Sequence, residues 1–270
     1  MNSRNWWQSE VIYQIYPWSF QDSNSDGVGD IQGIISRLDY LADLGITSIW
    51  ISPIYQSPMA DNGYDISDYY TIAPEFGTID DFKDLLHEAK KRDIKIILDL
   101  VVNHTSDEHI WFQKALRDKN SKYRNYYIFK ESPTPPTNGV RFLEEMSGEK
   151  LPELRNEIYT MINWWLDLEI SGFRVDAITF IKKDLKFQSI EPDGVDGLAK
   201  CTKVSRNQPS IEIFLSELQE KCFKSNQAVT IAEAPGVEYD QLDDFIGKDG
   251  FFSMIFDFKA ADLDVASGSE

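Results

Sequence analysis

The chain contains the segment Gly172-Phe-Arg-Val-Asp-Ala-Ile178, which has the composition of a short buried strand with two charges in its middle. Side chains alternate between the two faces of a strand, so Arg174 and Asp176 leave the same face while Phe173 and Val175 leave the other. An ion pair inside an apolar strand costs several kcal/mol of desolvation and is weak evidence for stability. The pair is therefore either a structural salt bridge or part of a functional site.

The chain repeats this arrangement, because other apolar segments also end near a charged residue and a loop. We predict strands over residues 11–16, 48–51, 95–104, 172–178, 228–233 and 252–257. The helical period of apolar residues predicts helices over residues 31–44, 80–92, 154–168 and 210–222. Strands that alternate with helices indicate an α/β protein with a parallel sheet.

Two α/β architectures fit this order, an open doubly wound sheet and a (β/α)8 TIM barrel. The first strand is not followed by a Gly-x-Gly-x-x-Gly turn, which disfavours a dinucleotide-binding doubly wound sheet. Charged residues at the carboxyl ends of the strands would converge on one face of a barrel. We therefore predict a (β/α)8 TIM-barrel type fold that is incomplete, because six strands are visible where eight are needed.

The charge and composition of the chain limit the classes of partner it can bind. The 270 residues carry a net charge of −18, which argues against nucleic acid and against an anionic membrane surface as partners. The sequence has no apolar run of about 18 residues and no signal-peptide core, and its two cysteines are too few for a disulfide framework. We expect a soluble, cytoplasmic protein. The seven Trp, twelve Tyr and sixteen Phe are more than a core requires, and flat aromatic faces suit sugar rings.

A loop between the first strand and the first helix resembles the start of a calcium-binding loop. It reads Asp22-Ser-Asn-Ser-Asp-Gly-Val-Gly-Asp30, with acidic or amide residues at positions 1, 3 and 5 and Gly at position 6. An EF-hand would need an acidic residue at position 12, where Gly33 stands. The loop is either a calcium or magnesium site of another kind or a polar turn. The predicted ligands are the side chains of Asp22, Asn24, Asp26 and Asp30 and the carbonyl of Val28.

Periodicity fails between residues 105 and 150, where aromatic and charged residues mix and prolines break any regular element. A long irregular segment inside a compact domain is usually a lid or an inserted subdomain. We therefore predict that residues 1–104 form the first part of a barrel with strands one to three. Residues 105–150 form a short inserted lid, and residues 151–270 continue the barrel with strands four to six.

The charged strand ends resemble signature regions of the α-amylase family of glycoside hydrolases. The matching motifs are Asp99-Leu-Val-Val-Asn-His104, Gly172-Phe-Arg-Val-Asp176 and Ala232-Glu233, in this order. Residues 7–17, 22–30, 61–65 and 105–111 resemble the oligo-1,6-glucosidase and α-glucosidase branch of that family. The resemblance covers most of residues 5–130 and 151–260.

The resemblance implies a retaining mechanism, which uses one carboxylate as nucleophile and a second carboxyl group as acid and then base. Asp176 would be the nucleophile and Glu233 the acid and base. Arg174 would hold Asp176 ionised, since a close cation lowers the pKa of a carboxyl group.

Further roles follow from the same resemblance. His104 and Asp61 would bind sugar hydroxyls and Tyr64 would stack on the sugar ring, while Asp99 and Asn103 would organise the strand ends. Asp99 could equally be a structural core carboxylate. Ala177, which follows the nucleophile, is small and favours α-1,4 over α-1,6 linkages.

One signature region of the family is missing. The Asn-His-Asp motif that supplies a third acid is absent, and the insertion after strand three is shorter than in relatives. We expect a fragment or degenerate product without the rest of the barrel and the C-terminal β domain, or a chain completed by another. Such a chain would hydrolyse α-glucosides poorly.

The expected function is that of an α-glucosidase or oligo-1,6-glucosidase that releases glucose from small α-glucosides or maltooligosaccharides. It would need no organic cofactor and would be a monomer if complete. The alternatives are a non-catalytic sugar-binding or transporter-partner protein on the same barrel, and a sucrose isomerase or transglycosylase.

Overall fold

A computed structural model of the chain describes residues 5–129, 152–184, 191–192, 205–247 and 249–261. The strands are β1 (Ile12–Ile15), β2 (Ser48–Ile51), β3 (Tyr55–Gln56), β4 (Asp68–Ile72), β5 (Lys95–Leu100), β6 (Gly172–Val175), β7 (Val229–Ala232) and β8 (Met254–Ile255). The main sheet is six-stranded and all parallel, with the strand order β1-β2-β5-β6-β7-β8, and β3 and β4 form a small antiparallel pair.

Helices connect the parallel strands, as a parallel sheet requires. The longer ones are Ile31–Ser36, Leu38–Asp43, Ile79–Lys90, Ile110–Arg117, Pro152–Asp167 and Glu212–Leu218, the last continuing into a π-helical turn over Gln219–Phe223. The parallel sheet and the incomplete barrel predicted from sequence are confirmed. Within the described ranges, β1 and β8 each pair with one strand of the main sheet.

The pairing register sets the positions of the charged strand ends. Asp99 of β5 lies directly beside Arg174 of β6, and Val175 lies beside Ala232 of β7. Asp176 and Glu233 are the residues that follow those last two positions. All these side chains therefore emerge at the carboxyl edge of the sheet.

Some predicted bounds were wrong. The strand predicted over residues 172–178 ends at Val175, and a 3-10 helix begins at Ile178. The helix predicted over residues 31–44 is interrupted at Arg37, whose φ of −106° and ψ of 0° are not helical. The strand predicted over residues 95–104 ends at Leu100, after which the chain turns away from the sheet. Apolar residues continue through the last two of these breaks, so periodicity gave no sign of either.

Several elements were not predicted. Among them, the loop after β2 contains the antiparallel pair of β3 and β4, and the segment after β5 contains the helix Ile110–Arg117. That helix begins at His109, whose ring Nδ1 accepts a hydrogen bond from the Trp111 backbone N–H at 3.2 Å, and it buries Phe112 and Ala115. The rest of the predicted lid, residues 130–150, lies outside the described residues, so the domain boundaries stay a prediction.

The core has two parts, as expected of a barrel. A large cluster packs the outer face of the sheet against the helices and contains the fully buried Trp165. A small cluster of Trp50, Ile97, Val229 and Ile231 occupies the inner face. Among the described helices none is both long and apolar enough to cross a membrane.

Candidate active site

Arg174 stands at the centre of a cluster of three carboxylates. Its Nη1 lies 2.8 Å from Asp99 Oδ1 and 2.7 Å from Asp176 Oδ1, and its Nη2 lies 2.7 Å from Glu233 Oε2. The four residues come from the carboxyl ends of the adjacent strands β5, β6 and β7. The structure thus brings together the two predicted catalytic carboxylates and the arginine predicted to orient them.

Asp99 holds Arg174 in this cluster by accepting a hydrogen bond from its Nη1. It is fully buried, and its Oδ2 accepts hydrogen bonds from Trp50 Nε1 at 3.2 Å and Tyr64 OH at 2.9 Å. Burial raises the pKa of Asp99 to about 6, although Arg174 and the hydrogen bonds oppose the rise. These contacts are compatible with both roles considered for Asp99, as an organiser of the strand ends and as a structural core carboxylate.

Asp176 does not have the low pKa expected from its arginine neighbour. Burial raises its pKa to about 7; Arg174 lowers it, and the negative charges of Asp99 and Glu233 raise it further. Arg174 is in contact as predicted, but one guanidinium shared by three carboxylates cannot offset burial. The prediction that Arg174 keeps the Asp176 pKa low is wrong for the free chain.

Ala177 anchors Glu233 through its backbone. Its φ of 46° and ψ of 43° lie in the left-handed region, which non-glycine residues seldom adopt. In this conformation the Ala177 N–H donates to Glu233 Oε2 at 3.0 Å, and the Ile178 N–H donates to the Glu233 carbonyl at 3.0 Å. Strain of this kind is concentrated at functional sites.

The residues expected to bind sugar are placed less closely together. Tyr64 reaches the cluster through its hydroxyl on Asp99, and Arg174 lies 5.7 Å from its ring centroid. His104 is half-buried beyond the end of β5, where its carbonyl accepts a hydrogen bond from Tyr69 OH at 3.4 Å. Asp61 lies on an exposed turn, and no hydrogen bond among the described residues links its side chain to Arg174.

Asn103 contacts a residue that the sequence analysis missed. Its Oδ1 accepts a hydrogen bond from Lys183 Nζ, which also donates to the carbonyl of Phe180. Burial lowers the pKa of Lys183 to about 8. Trp50 was also missed, because a tryptophan in an apolar strand gives no sign that its indole N–H binds a carboxylate.

The predicted metal loop is held by its own side chains. Asp22 accepts three backbone N–H groups, from Asn24, Ser25 and Gly27, and hydrogen bonds to these N–H groups, above all that of Gly27, lower its pKa. Asp30 caps the helix Ile31–Ser36 by accepting the Gly33 N–H at 2.6 Å.

The other two polar side chains of this loop are used in the same way. Asn24 Oδ1 accepts the Asp26 N–H at 2.9 Å, and Asp26 Oδ1 accepts the Val28 N–H at 2.8 Å. Across the described part of the chain, no group of three or more His, Cys, Asp or Glu could hold a metal ion. Amide and carbonyl oxygens are also calcium ligands, so the loop's donor set remains compatible with that ion.

Comparison with known proteins gives a consistent result. The family model for the alpha amylase catalytic domain matches residues 14–147 and 142–270. Oligo-1,6-glucosidase of Bacillus cereus is 42% identical over 292 residues, which span 99% of this chain and 52% of that protein. Probable oligo-1,6-glucosidase 3 of Bacillus subtilis is 44% identical, over 94% of this chain and 50% of the relative.

Solved structures agree with these relatives. Trehalose-6-phosphate hydrolase of Bacillus licheniformis superimposes with a TM-score of 0.85 at 38% identity, over 97% of this chain and 51% of that one. Isomaltulose synthase of Protaminobacter rubrum gives a TM-score of 0.87 at 34% identity, with the same coverage. The chain therefore spans about half the length of the relatives it matches.

Proposed function

The chain belongs to the α-amylase family, and on that premise we propose that it acts as a retaining glycosidase of the oligo-1,6-glucosidase type. Its substrate would be a short α-glucoside or maltooligosaccharide, from which it releases glucose at the non-reducing end. The observation that supports the proposal is that Asp176 and Glu233, at the ends of adjacent strands, both pair with the guanidinium of Arg174.

In this mechanism the Asp176 carboxylate attacks the anomeric carbon while Glu233 donates a proton to the leaving oxygen. Water then attacks the glycosyl-enzyme ester and gives its proton to Glu233, which restores both groups. In the free chain, burial raises the pKa of Asp176 to about 7, so this carboxyl group binds a proton near neutral pH. For catalysis that proton must leave Asp176, which is then ionised for attack, and Glu233 must carry the proton that goes to the leaving group.

The remaining positions are assigned by the same proposal. Arg174 and Asp99 orient the nucleophile, Asn103 holds the strand end, and Tyr64 offers its ring to the sugar. His104 and Asp61 bind sugar hydroxyls. A cytoplasmic location fits the acidic composition, and the net charge of −18 disfavours nucleic acid as a partner.

The test is covalent trapping, because it needs only the first displacement, which forms the glycosyl-enzyme, and not its hydrolysis. The chain is incubated with 5-fluoro-α-glucosyl fluoride, digested and analysed by mass spectrometry. We expect one fluoroglucosyl adduct on the peptide that contains Asp176, none in Asp176→Asn, and full labelling in Asp167→Asn as the matched control. Intact, soluble protein without an adduct, or with an adduct on another carboxylate, would refute the proposal and favour a non-catalytic sugar-binding protein.

A second candidate is sucrose isomerisation, favoured by the superposition on isomaltulose synthase. Both activities would use Asp176 and Glu233, so the products decide between them. Glucose from maltose or isomaltose supports the hydrolase, and isomaltulose or trehalulose from sucrose supports the isomerase. The small Ala177 favours maltose, whereas the names of the relatives favour isomaltose.

We also propose that the loop from Asp22 to Asp30 binds calcium. The side chains of Asp22, Asn24, Asp26 and Asp30 and the Val28 carbonyl would hold the ion, which would act structurally and far from the chemistry. Calcium should raise the melting temperature of the unaltered chain and of the exposed control Asp43→Ala, but not that of Asp26→Ala. An equal calcium response in all three proteins would show that the loop is a polar turn.

A further inference from the structure

Thr179 is a buried polar residue that the proposed mechanism does not use. It is fully inaccessible to solvent and lies three residues after Asp176, in the loop that follows β6. A buried hydroxyl normally has a hydrogen-bond partner whose identity is informative. Here the Thr179 Oγ1 donates to the Pro235 carbonyl at 3.2 Å, and Pro235 lies two residues after Glu233.

A second residue continues this connection. The Asn207 N–H donates to the Thr179 carbonyl at 2.8 Å, and the Asn207 side-chain Nδ2 donates to the Gly236 carbonyl at 3.4 Å. Asn207 has a φ of 47°, in the left-handed region that asparagine tolerates better than most residues. Asn207 therefore contacts the loop after Asp176 and the loop after Glu233 at the same time.

Arg206, the residue before Asn207, packs on the same loop. Gly236 has a φ of 82°, and a Cβ added there would lie 2.6 Å from Arg206 Nη1. The Arg206 guanidinium thus lies against the Gly236 backbone. The segment of Arg206 and Asn207 is seated on the loop that carries the acid and base.

We infer that Thr179 and Asn207 form a clamp that fixes the spacing between Asp176 and Glu233, and that both are positioning residues for the proposed reaction. The inference rests on the proposed function, because the spacing matters only if these carboxylates share the chemistry. The separation of two carboxyl groups decides whether a glycosidase attacks the sugar directly or through water. A shift of either loop by about 1 Å would therefore lower the rate of the reaction.

The clamp can be measured without turnover. Nuclear magnetic resonance of chain labelled with ¹³C in its Asp and Glu carboxyl groups reports the titration of Asp176, which depends on its distance from Glu233. In Thr179→Val, which keeps the shape and removes the hydroxyl, we expect the apparent pKa of Asp176 to fall by at least half a unit as the charges separate. Thr179→Ser keeps the hydroxyl and should restore the original titration.

Asn207→Ala tests the other half of the clamp, and Asn207→Gly keeps the left-handed backbone while removing the side-chain bond. Both should lower the Asp176 pKa in the same direction as Thr179→Val, and circular dichroism with melting curves checks that each variant is folded. If all folded variants titrate Asp176 like the unaltered chain, the clamp does not exist.

Trapping with 5-fluoro-α-glucosyl fluoride separates this inference from the proposed function. Slower labelling of Asp176 by tenfold or more in Thr179→Val and Asn207→Ala, with recovery in Thr179→Ser, supports the clamp. Labelling at the unaltered rate overturns the clamp and leaves the proposed function standing. Failure of the unaltered chain to label overturns the proposed function, and the titration then decides alone whether the clamp holds the two carboxylates.

Discussion

Replacement of Arg174 by methionine should destabilise the fold, and the loss should depend on pH. The side chain of Arg174 is 8% exposed and pairs with Asp99, Asp176 and Glu233, so its removal leaves three carboxylates without their cation. Breaking a buried ion pair typically costs about 3–5 kcal/mol, because a buried charge remains uncompensated. We expect a loss of this size in the free energy of unfolding at pH 8.

At pH 5 the same substitution should cost much less. The pKa values of Asp99 and Asp176 are already raised to about 6 and about 7, and without the cation they rise further. A carboxyl group with a raised pKa in the folded state binds protons that the unfolded state has lost. Its contribution to stability is therefore present at low pH and is lost as pH rises through the folded pKa.

A carboxyl group that is protonated in the folded state but ionised in the unfolded state raises the free energy of unfolding by about 1.4 kcal/mol for each pH unit that the pH falls. Protonation of the cluster therefore reduces the loss in Arg174→Met to about 1 kcal/mol at pH 5, since neutral carboxyl groups tolerate an apolar neighbour.

Urea unfolding of both proteins at pH 5 and pH 8 measures the effect. The matched control is Arg155→Met, because Arg155 pairs with one carboxylate among the described residues, that of Glu217 at 2.7 Å, and its side chain is 16% exposed. We expect that control to lose about 1 kcal/mol at both pH values, as a less buried pair does. A loss in Arg174→Met that is equal at the two pH values, or that is below about 1 kcal/mol at pH 8, would refute this account of the cluster.

Two further predictions concern the scaffold. Burial lowers the pKa of His109 to about 4, below its unfolded value near 6.5. This group should therefore contribute up to about 3 kcal/mol to the free energy of unfolding, and that contribution is lost as pH falls from about 6.5 to 4. His109→Asn keeps a helix-capping side chain and should remove this part of the pH dependence in urea titrations. Gly172→Ala should destabilise the chain by about 3 kcal/mol or more or prevent its folding, because the added Cβ would lie 1.9 Å from the Val229 carbonyl oxygen at a φ of 151°. The control in melting curves is Gly27→Ala, which also has a positive φ, of 94°, but has open space around the added Cβ. Equal melting temperatures of the two variants would show that the clash at Gly172 adds nothing to backbone strain and would contradict the prediction.

The sequence was sufficient for the parallel strands because the central ones, β2, β5 and β7, are mostly apolar and buried, as strands covered on both faces must be. It was insufficient where the local pattern and the tertiary structure diverge. β3 pairs with β4 across the loop of residues 57–67, which carries no alternating apolar pattern, and Arg37 at the helix interruption donates a hydrogen bond to the Gln21 side chain at 2.7 Å. The helix Ile110–Arg117 is too short for its apolar residues to stand out among the aromatic residues around it.

The candidate site divides in the same way. Arg174, Asp176 and Glu233 were predictable because each lies at a strand end in a recognisable motif. The contacts of Trp50 with Asp99 and of Thr179 with Pro235 join residues about fifty positions apart and leave no local pattern. The direction of the Asp176 pKa was missed because a pairwise argument counted one cation and ignored burial.

The charge balance of this cluster decides between the two interpretations of an ion pair inside a strand. A structural salt bridge gives one carboxylate to one cation, and even that arrangement seldom adds stability. Here three carboxylates share Arg174, and burial raises the pKa of Asp99 and Asp176 toward neutrality. This cluster therefore stabilises the fold less at neutral pH than in acid, so it is not explained by a contribution to stability. It does keep a proton among carboxyl groups that face one another, which is the condition acid and base catalysis requires. The geometry therefore favours a functional cluster, retained at a cost in stability that the Arg174→Met titration would measure.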